Sequence, residues 1–494
     1  MEKKQKISIH FRGGILSPGF LMEVLLLAKE ARVHEVSFGL RQQLLMEMDA
    51  KRYAGFAASC RKQGITHYLN GAAAQNIVSS YFTDGIFDQD SWLKEGTYKD
   101  ILDQFNYTPR LKINICNQKQ RFVLFYTGNL NWISSENAQF WYLFIRFPHS
   151  RQLYCWPELI YTNDIRSVSE FLEQLIYRHR ERFMDPAELK GQELYDAFKA
   201  RLQFSYISKS IASPIQLPGF ALPYYEGFNK YGGGYWLGIY RREESFPVNF
   251  LIDLCDNCIS NSVGELYTTT WKSLIIKGIE PGKRHLWDFI LGQYRINVRH
   301  AANELNWQIE ESQEAMVLKR HIIRYFDKED VRTFGLCFGI QTKTAAHMFA
   351  SIVIRGCARS DGNKLKYLEY YDILYQSEFN PNHATFSLFR QRVARDHIGT
   401  YLVSLCKLFY EQQGNEYLPN EPSLETSSPV GSTPPENKIY QCPHCLTVYD
   451  ETVGDPEQGV PAGTRYAALS NNYVCPVCAT GHSEFVQIAS ILTT

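Results

Sequence analysis

The sequence predicts an α+β fold, with a large mixed body followed by a small C-terminal module built around a metal. Three observations lead there. Before residue 415, strand-length apolar runs and capped helical segments follow one another without the regular strand–helix alternation of a parallel sheet. A proline-rich stretch then interrupts the chain. Beyond it, four cysteines stand in two tight pairs.

The chain has 494 residues, too many for one small core, and a prior of roughly 150 residues per domain suggests about three units. Apolar residues make up 45% and charged residues 21%, which are ordinary globular values. Lysine plus arginine and aspartate plus glutamate number 52 each, so no global field recruits nucleic acid or an anionic membrane. Neither is an expected partner.

The elements follow in chain order. The alternation Ile7-Ser8-Ile9-His10-Phe11 reads as a half-buried strand, with no apolar export signal ahead of it. The apolar stretch from Phe20 to Ala28 is interrupted by Glu23 and is far shorter than the roughly 20 residues needed to span a bilayer. A cytoplasmic protein is expected. Phe122-Val123-Leu124-Phe125-Tyr126 and Phe140-Trp141-Tyr142-Leu143-Phe144-Ile145 have strand length and strand composition. Ser167 with Glu170 forms a capping box, ahead of a helical face of Phe171, Leu172, Leu175 and Ile176. Asp185-Pro186 marks a second helix start. Gly232-Gly233-Gly234 lacks a following lysine and helix, so it reads as a turn and not a phosphate loop. His285, His300, His347 and His397 are scattered and share no metal spacing.

Asn415 to Asn437 contains Pro419, Pro422, Pro429, Pro434 and Pro435 among Ser, Thr, Glu and Asn. With little to bury it should be a disordered linker, and 23 flexible residues have an r.m.s. span of about 25 Å. Such a tether leaves the tail free to search. In the tail, Cys442-Pro443-His444-Cys445 and Cys475-Pro476-Val477-Cys478 make a C-x2-C pair, 29 intervening residues and a second C-x2-C pair. Two residues between cysteines let both sulfurs of a short turn face one centre, and two such turns close a tetrahedron. A tetrahedral set of four sulfurs accepts zinc or iron, so spacing alone does not name the metal. A module this small must draw stability from the metal and from Tyr440, Tyr449, Tyr466, Tyr473 and Phe485.

Between the pairs lie Tyr449-Asp450, the run Gly454-Asp455-Pro456-Glu457-Gln458-Gly459-Val460-Pro461-Ala462-Gly463-Thr464, then Tyr466, Leu469, Tyr473 and, beyond the second pair, Phe485. With Tyr440 these residues resemble rubredoxin along the whole module. The resemblance implies one iron per chain, cycling between Fe(3+) and Fe(2+) in Cys442, Cys445, Cys475 and Cys478. It also implies redox partner proteins as electron donor and acceptor. The competing reading is a structural zinc knuckle. Rubredoxins generally place glycine after each cysteine pair, whereas this chain has Leu446 and Ala479; positive φ there would cost on the order of 1 kcal/mol.

The long N-terminal part resembles the assimilatory sulfite and nitrite reductases, which hold sirohaem coupled to a [4Fe-4S] cluster in a duplicated scaffold. The resemblance is carried by Phe11-Arg12-Gly13-Gly14, the helix Phe20 to Glu30, and Val36-Ser37-Phe38-Gly39-Leu40-Arg41-Gln42-Gln43. A second copy runs through Trp236-Leu237-Gly238-Ile239 and Gly264 to Ile276, where Lys272 and Ser273 replace the family's usual Gln and Asn. The implied organisation is a duplicated ferredoxin-like, sulfite-reductase-like body. Its first unit is 1–210 (half-domain about 7–66) and its second 211–414 (half-domain about 220–310). The linker 415–437 and a rubredoxin-like domain at 438–490 follow.

The family's cluster ligands are spaced C-x5-C and C-x3-C. Cys60, Cys116, Cys155, Cys255, Cys258, Cys337, Cys357 and Cys406 offer neither spacing, which argues against both [4Fe-4S] and sirohaem and for a redox carrier over a catalyst; no catalytic residue is assigned. Cys255 and Cys258 with Cys337 and Cys357 form an alternative ligand set, the plainer reading being a thiol pair without metal. Cys60, Cys116, Cys155 and Cys406 read as buried free thiols. Arg12, Arg41 and Lys272 are candidates for tetrapyrrole carboxylates, or else solvated strand-end charges. The alternative function is a sirohaem-type nitrite or sulfite reductase with a fused rubredoxin donor.

Overall fold

A computed structural model describes residues 4–69, 72–87, 91–150, 152–184, 190–299, 302–309, 312–342, 348–357, 370–383, 385–416, 439–443, 447–451, 454–455, 458–461, 463–470 and 472–488. It divides into two units, Met1–Asn415 and Glu416–Thr494.

In the first unit, the strand Lys4–Ile9 pairs antiparallel with Leu44–Asp49, opposing Ile7 to Met46. Ile7 and Ile9 are buried while Ser8 is not, the period-two pattern of a sheet with one face on the core. The helix Pro18–Glu30 starts where the Ser17 hydroxyl accepts the Phe20 N–H at 3.2 Å and Pro18 presets the first helical φ. It buries Leu21, Val24, Leu25 and Ala28. A second sheet repeats the arrangement with strands Gly227–Tyr231, Gly234–Ile239, Leu274–Ile279 and Leu266–Thr268 and the helix Val248–Ser260.

The two copies exchange strands. Ile15–Leu16 of the first pairs with Leu266–Thr268 of the second, and Phe246–Pro247 of the second pairs with Glu35–Phe38 of the first. Their helices pack on each other over one shared core. Neither copy closes its own sheet.

The remaining two sheets also repeat one plan. In the first, Val78–Ser79, Ile113–Cys116 and Leu130–Ser134 run parallel, then Phe140–Arg146 and Glu158–Tyr161 antiparallel. In the second, Trp307–Ile309, Phe338–Gln341 and Ile352–Gly356 run parallel, then Tyr370–Gln376 and Phe386–Ala394 antiparallel.

Two expectations need correction. Phe122–Tyr126 forms no strand. All five side chains are buried, but the backbone bonds to side chains: Phe122 and Val123 N–H donate to Gln120 Oε1 at 2.8 and 2.7 Å, and Phe125 N–H to Asn382 Oδ1 at 2.9 Å. An apolar run reports burial, not backbone conformation. The helix expected from Ser167 is Ile165–Arg178 and begins after Asp164, with no side-chain cap. Glu170 pairs instead with Arg166 at 2.8 Å. The expected apolar face does form, with Leu172, Leu175 and Ile176 buried.

Gly232 and Gly233 make the hairpin turn that sets Tyr231 opposite Gly234. Asp185-Pro186 lies outside the described residues, as does the expected linker except Asn415 and Glu416, which close the helix Ile398–Glu416. Among the described residues no helix is long and apolar enough to cross a membrane.

Candidate metal centre

The C-terminal unit is built on the strand Ile439–Gln441, which pairs antiparallel with Val448–Asp450 on one side and Val486–Ile488 on the other. Tyr449, Leu469 and Tyr473 are buried, and Tyr440, Tyr466 and Phe485 pack against them, so the expected aromatic core is present. Tyr440 and Tyr466 stack with ring centroids 3.7 Å apart. The Gly-Asp-Pro loop is tied in at Asp455, whose carboxylate accepts the Tyr473 hydroxyl at 2.8 Å. Gly454 has φ 71°, and a Cβ there would lie 2.5 Å from the Pro461 carbonyl oxygen, so this turn requires glycine.

The first cysteine of each pair makes the same backbone bond. Cys442 N–H donates to the Thr447 carbonyl at 2.8 Å, and Cys475 N–H to the Thr480 carbonyl at 2.7 Å. The turns bring the sulfurs of Cys442, Cys475 and Cys478 within 4.8 Å of one another, the one such metal-competent group among the described residues. Cys445 lies outside the described residues. The Cys442 and Cys478 sulfurs are 3.5 Å apart, close to the edge of about 3.8 Å expected for a tetrahedron with metal–sulfur bonds of about 2.3 Å. The donor set therefore fits a single soft metal ion held by thiolates. Cys442 and Cys475 are buried and Cys478 is half-buried.

Ala479 has φ 59°, so one of the two positions where rubredoxins favour glycine does adopt left-handed backbone with a Cβ in place. Leu446 lies outside the described residues. Sequence reasoning missed Thr480, whose hydroxyl oxygen is 3.0 Å from the Cys478 sulfur. The signal was available: the residue two places after each pair is threonine.

The alternative ligand set is not assembled. Cys255 and Cys258 face the core shared by the two copies, Cys337 lies beside Ser351 at 3.4 Å, and Cys357 contacts Asp372 at 3.3 Å. Burial pushes the Cys255 and Cys337 thiols up to about 12 and Cys258 higher still, which keeps them neutral. Cys60, Cys116 and Cys406 are buried free thiols as expected, but Cys155 is exposed: it occupies the short strand Leu153–Cys155.

The three candidate cations differ. Arg12 is exposed. Arg41 is no solvated charge: its guanidinium donates to the Asn76 carbonyl at 2.7 and 3.1 Å, the Ile113 carbonyl at 2.9 Å and Asn114 Oδ1 at 3.2 Å. Lys272 is buried and ion-paired with Glu244, whose other oxygen accepts Lys319 at 2.8 Å. Burial works to raise the Glu244 pKa, but the two lysines hold it down at about 2. The first copy solves the same place without charge. Gly14 (φ 76°) packs on Gln42 (φ 60°), whereas Glu244 (φ 60°) packs on Lys272 (φ 57°). Both Arg41 and Lys272 are thus engaged by the protein's own groups.

The chain matches the Rubredoxin family over residues 439–485. It is 45% identical over 49 residues to Rubredoxin-2 of Pseudomonas aeruginosa, covering 10% of this chain and 89% of that protein. Over 49 residues it is 47% identical to the high molecular weight rubredoxin of Moorella thermoacetica, again 10% of this chain but only 21% of that protein. A third relative, the anaerobic nitric oxide reductase flavorubredoxin of Aliivibrio fischeri, is 37% identical over 71 residues, 14% of each chain. In three dimensions the chain is similar to the NirA protein of Mycobacterium tuberculosis, with a TM-score of 0.64 and 15% identity, covering 83% of this chain and 81% of that one. Most of the chain therefore has the fold of NirA, and through residues 439–485 it belongs to the rubredoxin family.

Proposed function

We propose that this protein carries single electrons on one iron held by Cys442, Cys445, Cys475 and Cys478, and passes them to a reductase of the nitrite or sulfite assimilation type. The observation that carries the reading is the convergence of the Cys442, Cys475 and Cys478 sulfurs inside a rubredoxin domain. An iron in four thiolates supplies reversible one-electron exchange. The protein's residues hold the charge in place. Cys442 and Cys475 anchor it from the buried side, Cys478 brings it toward the surface, and the tyrosine core limits water.

In this reading the body, with units 1–210 and 211–414, is a docking partner for the redox proteins. The segment 415–437 is a tether and 438–490 the carrier. The buried thiols Cys60, Cys116, Cys255, Cys258 and Cys406, none of them in a disulfide, suit a reducing cytoplasm.

The fold shared with NirA supports a second reading, in which the body holds sirohaem and the tail feeds it electrons for nitrite or sulfite reduction. Metal analysis with a visible spectrum and voltammetry on the purified protein separates the two. Ferric thiolate charge-transfer bands alone, with one iron per chain and a reversible one-electron wave, are expected. Tetrapyrrole bands would favour the enzyme, and zinc without a redox wave would end both readings.

A further inference from the structure

We propose that the Thr480 hydroxyl donates a hydrogen bond to the Cys478 sulfur and raises the reduction potential of the iron. The inference rests on the iron reading above and concerns what this chain adds to it. The Thr480 Oγ1 to Cys478 Sγ distance is 3.0 Å. With metal bound, Cys478 is a thiolate with no proton to give, so the hydroxyl must be the donor. The Thr480 backbone is held by the turn, its carbonyl accepting the Cys475 N–H at 2.7 Å and the Ala479 N–H donating to the Cys475 carbonyl at 2.9 Å. The same turn that carries two of the ligands therefore holds the Thr480 Cα beside them.

The sign follows from charge. Four thiolates around Fe(3+) carry a net charge of about −1, and around Fe(2+) about −2, so a donor aimed at sulfur stabilises the reduced state more. Cys478 is the most exposed of the three described ligands. Water competes there, which limits the effect of any one hydrogen bond.

The test is Thr480→Val in the full-length iron-loaded protein, which removes the hydroxyl and keeps the shape, with Thr480→Ser as the variant that keeps the hydroxyl. The midpoint potential of Thr480→Val is expected to fall by about 30 mV, about threefold in the one-electron equilibrium constant at 59 mV per decade. Its sulfur-to-iron charge-transfer bands should shift, while Thr480→Ser stays near the parent. Where valine impairs iron uptake, Thr480→Ala makes the same comparison. An iron-loaded hydroxyl-free variant with the parent's potential would overturn the proposal while leaving the iron reading intact. Failure of the parent itself to bind iron would remove the reading on which it rests.

Discussion

Among its described residues the C-terminal unit buries three large side chains, Tyr449, Leu469 and Tyr473, with a rim of partly buried Tyr440, Tyr466 and Phe485. The body has three extensive cores, which include the fully buried Trp132, Trp141, Trp156, Trp271 and Trp287. The tail's core is too small to offset the entropy of ordering its loops, so binding of the metal must supply most of the difference. The body's exchanged strands make the two copies one folding unit. In the tail the cysteines that can hold the metal also hold the fold together, whereas the body is held by apolar packing.

The sharpest way to break this comparison is to remove a ligand. Cys475→Ser, or stripping the metal with a chelator, should cost the tail its whole fold, since structural metal binding in comparable small modules is worth about 10 kcal/mol or more. The near-ultraviolet circular dichroism of the tail tyrosines should collapse while the body's melting transition stays put. A body transition that moved with the metal would show that the two regions are not independently stabilised.

The converse substitution is Glu244→Gln. It leaves Lys272 and Lys319 buried without their counter-charge, and breaking a buried pair in this way costs about 3–5 kcal/mol. Chemical denaturation should show the body weakened by that amount, with the iron spectrum unchanged. The same residue predicts an acid response. Its folded pKa of about 2 lies below the ordinary carboxylate value, so its contribution is complete above about pH 4.5 and is lost as pH falls toward 2. Each unit of pKa shift is worth about 1.4 kcal/mol, making the loss at most about 3 to 4 kcal/mol. Glu244→Gln should lack this part of the acid slope, and a parallel slope in both proteins would place the acid sensitivity elsewhere.

At the scale of about 1 kcal/mol, Ala479→Gly relieves the Cβ at φ 59° and should stabilise the iron-loaded tail by roughly that much. Thermal unfolding followed at the charge-transfer bands reads it. No gain would mean that the turn tolerates alanine without strain.

The same contrast explains what the sequence revealed. The tail was legible because metal ligation demands particular residues at particular spacings, and Cys442, Cys475 and Cys478 meet where that spacing puts them. The helix Pro18–Glu30 was legible through the family resemblance, which implied a helix at Phe20 to Glu30. Phe122–Tyr126 was misread because composition tells that a segment is inside, not that side chains such as Gln120 and Asn382 satisfy its backbone. Arg41 and Lys272 looked like free cations because their partners Asn76, Ile113 and Glu244 lie 28 to 72 residues away. Pairings across such distances leave no local signature.

The smallest expected effect concerns Leu446, the residue after the first cysteine pair where rubredoxins favour glycine. A leucine next in sequence to a thiolate ligand is expected to exclude water from the sulfur cage more than glycine would, and water favours the more highly charged reduced state. Replacing it with glycine should therefore raise the midpoint potential, the opposite direction to Thr480→Val. A rise of about 20 mV corresponds to slightly more than twofold in the one-electron equilibrium constant. Square-wave voltammetry on Leu446→Gly and the parent protein measures it directly. An unchanged potential would mean that Leu446 leaves the cage's access to solvent unaltered, and a fall would mean that backbone relaxation outweighs hydration at this position.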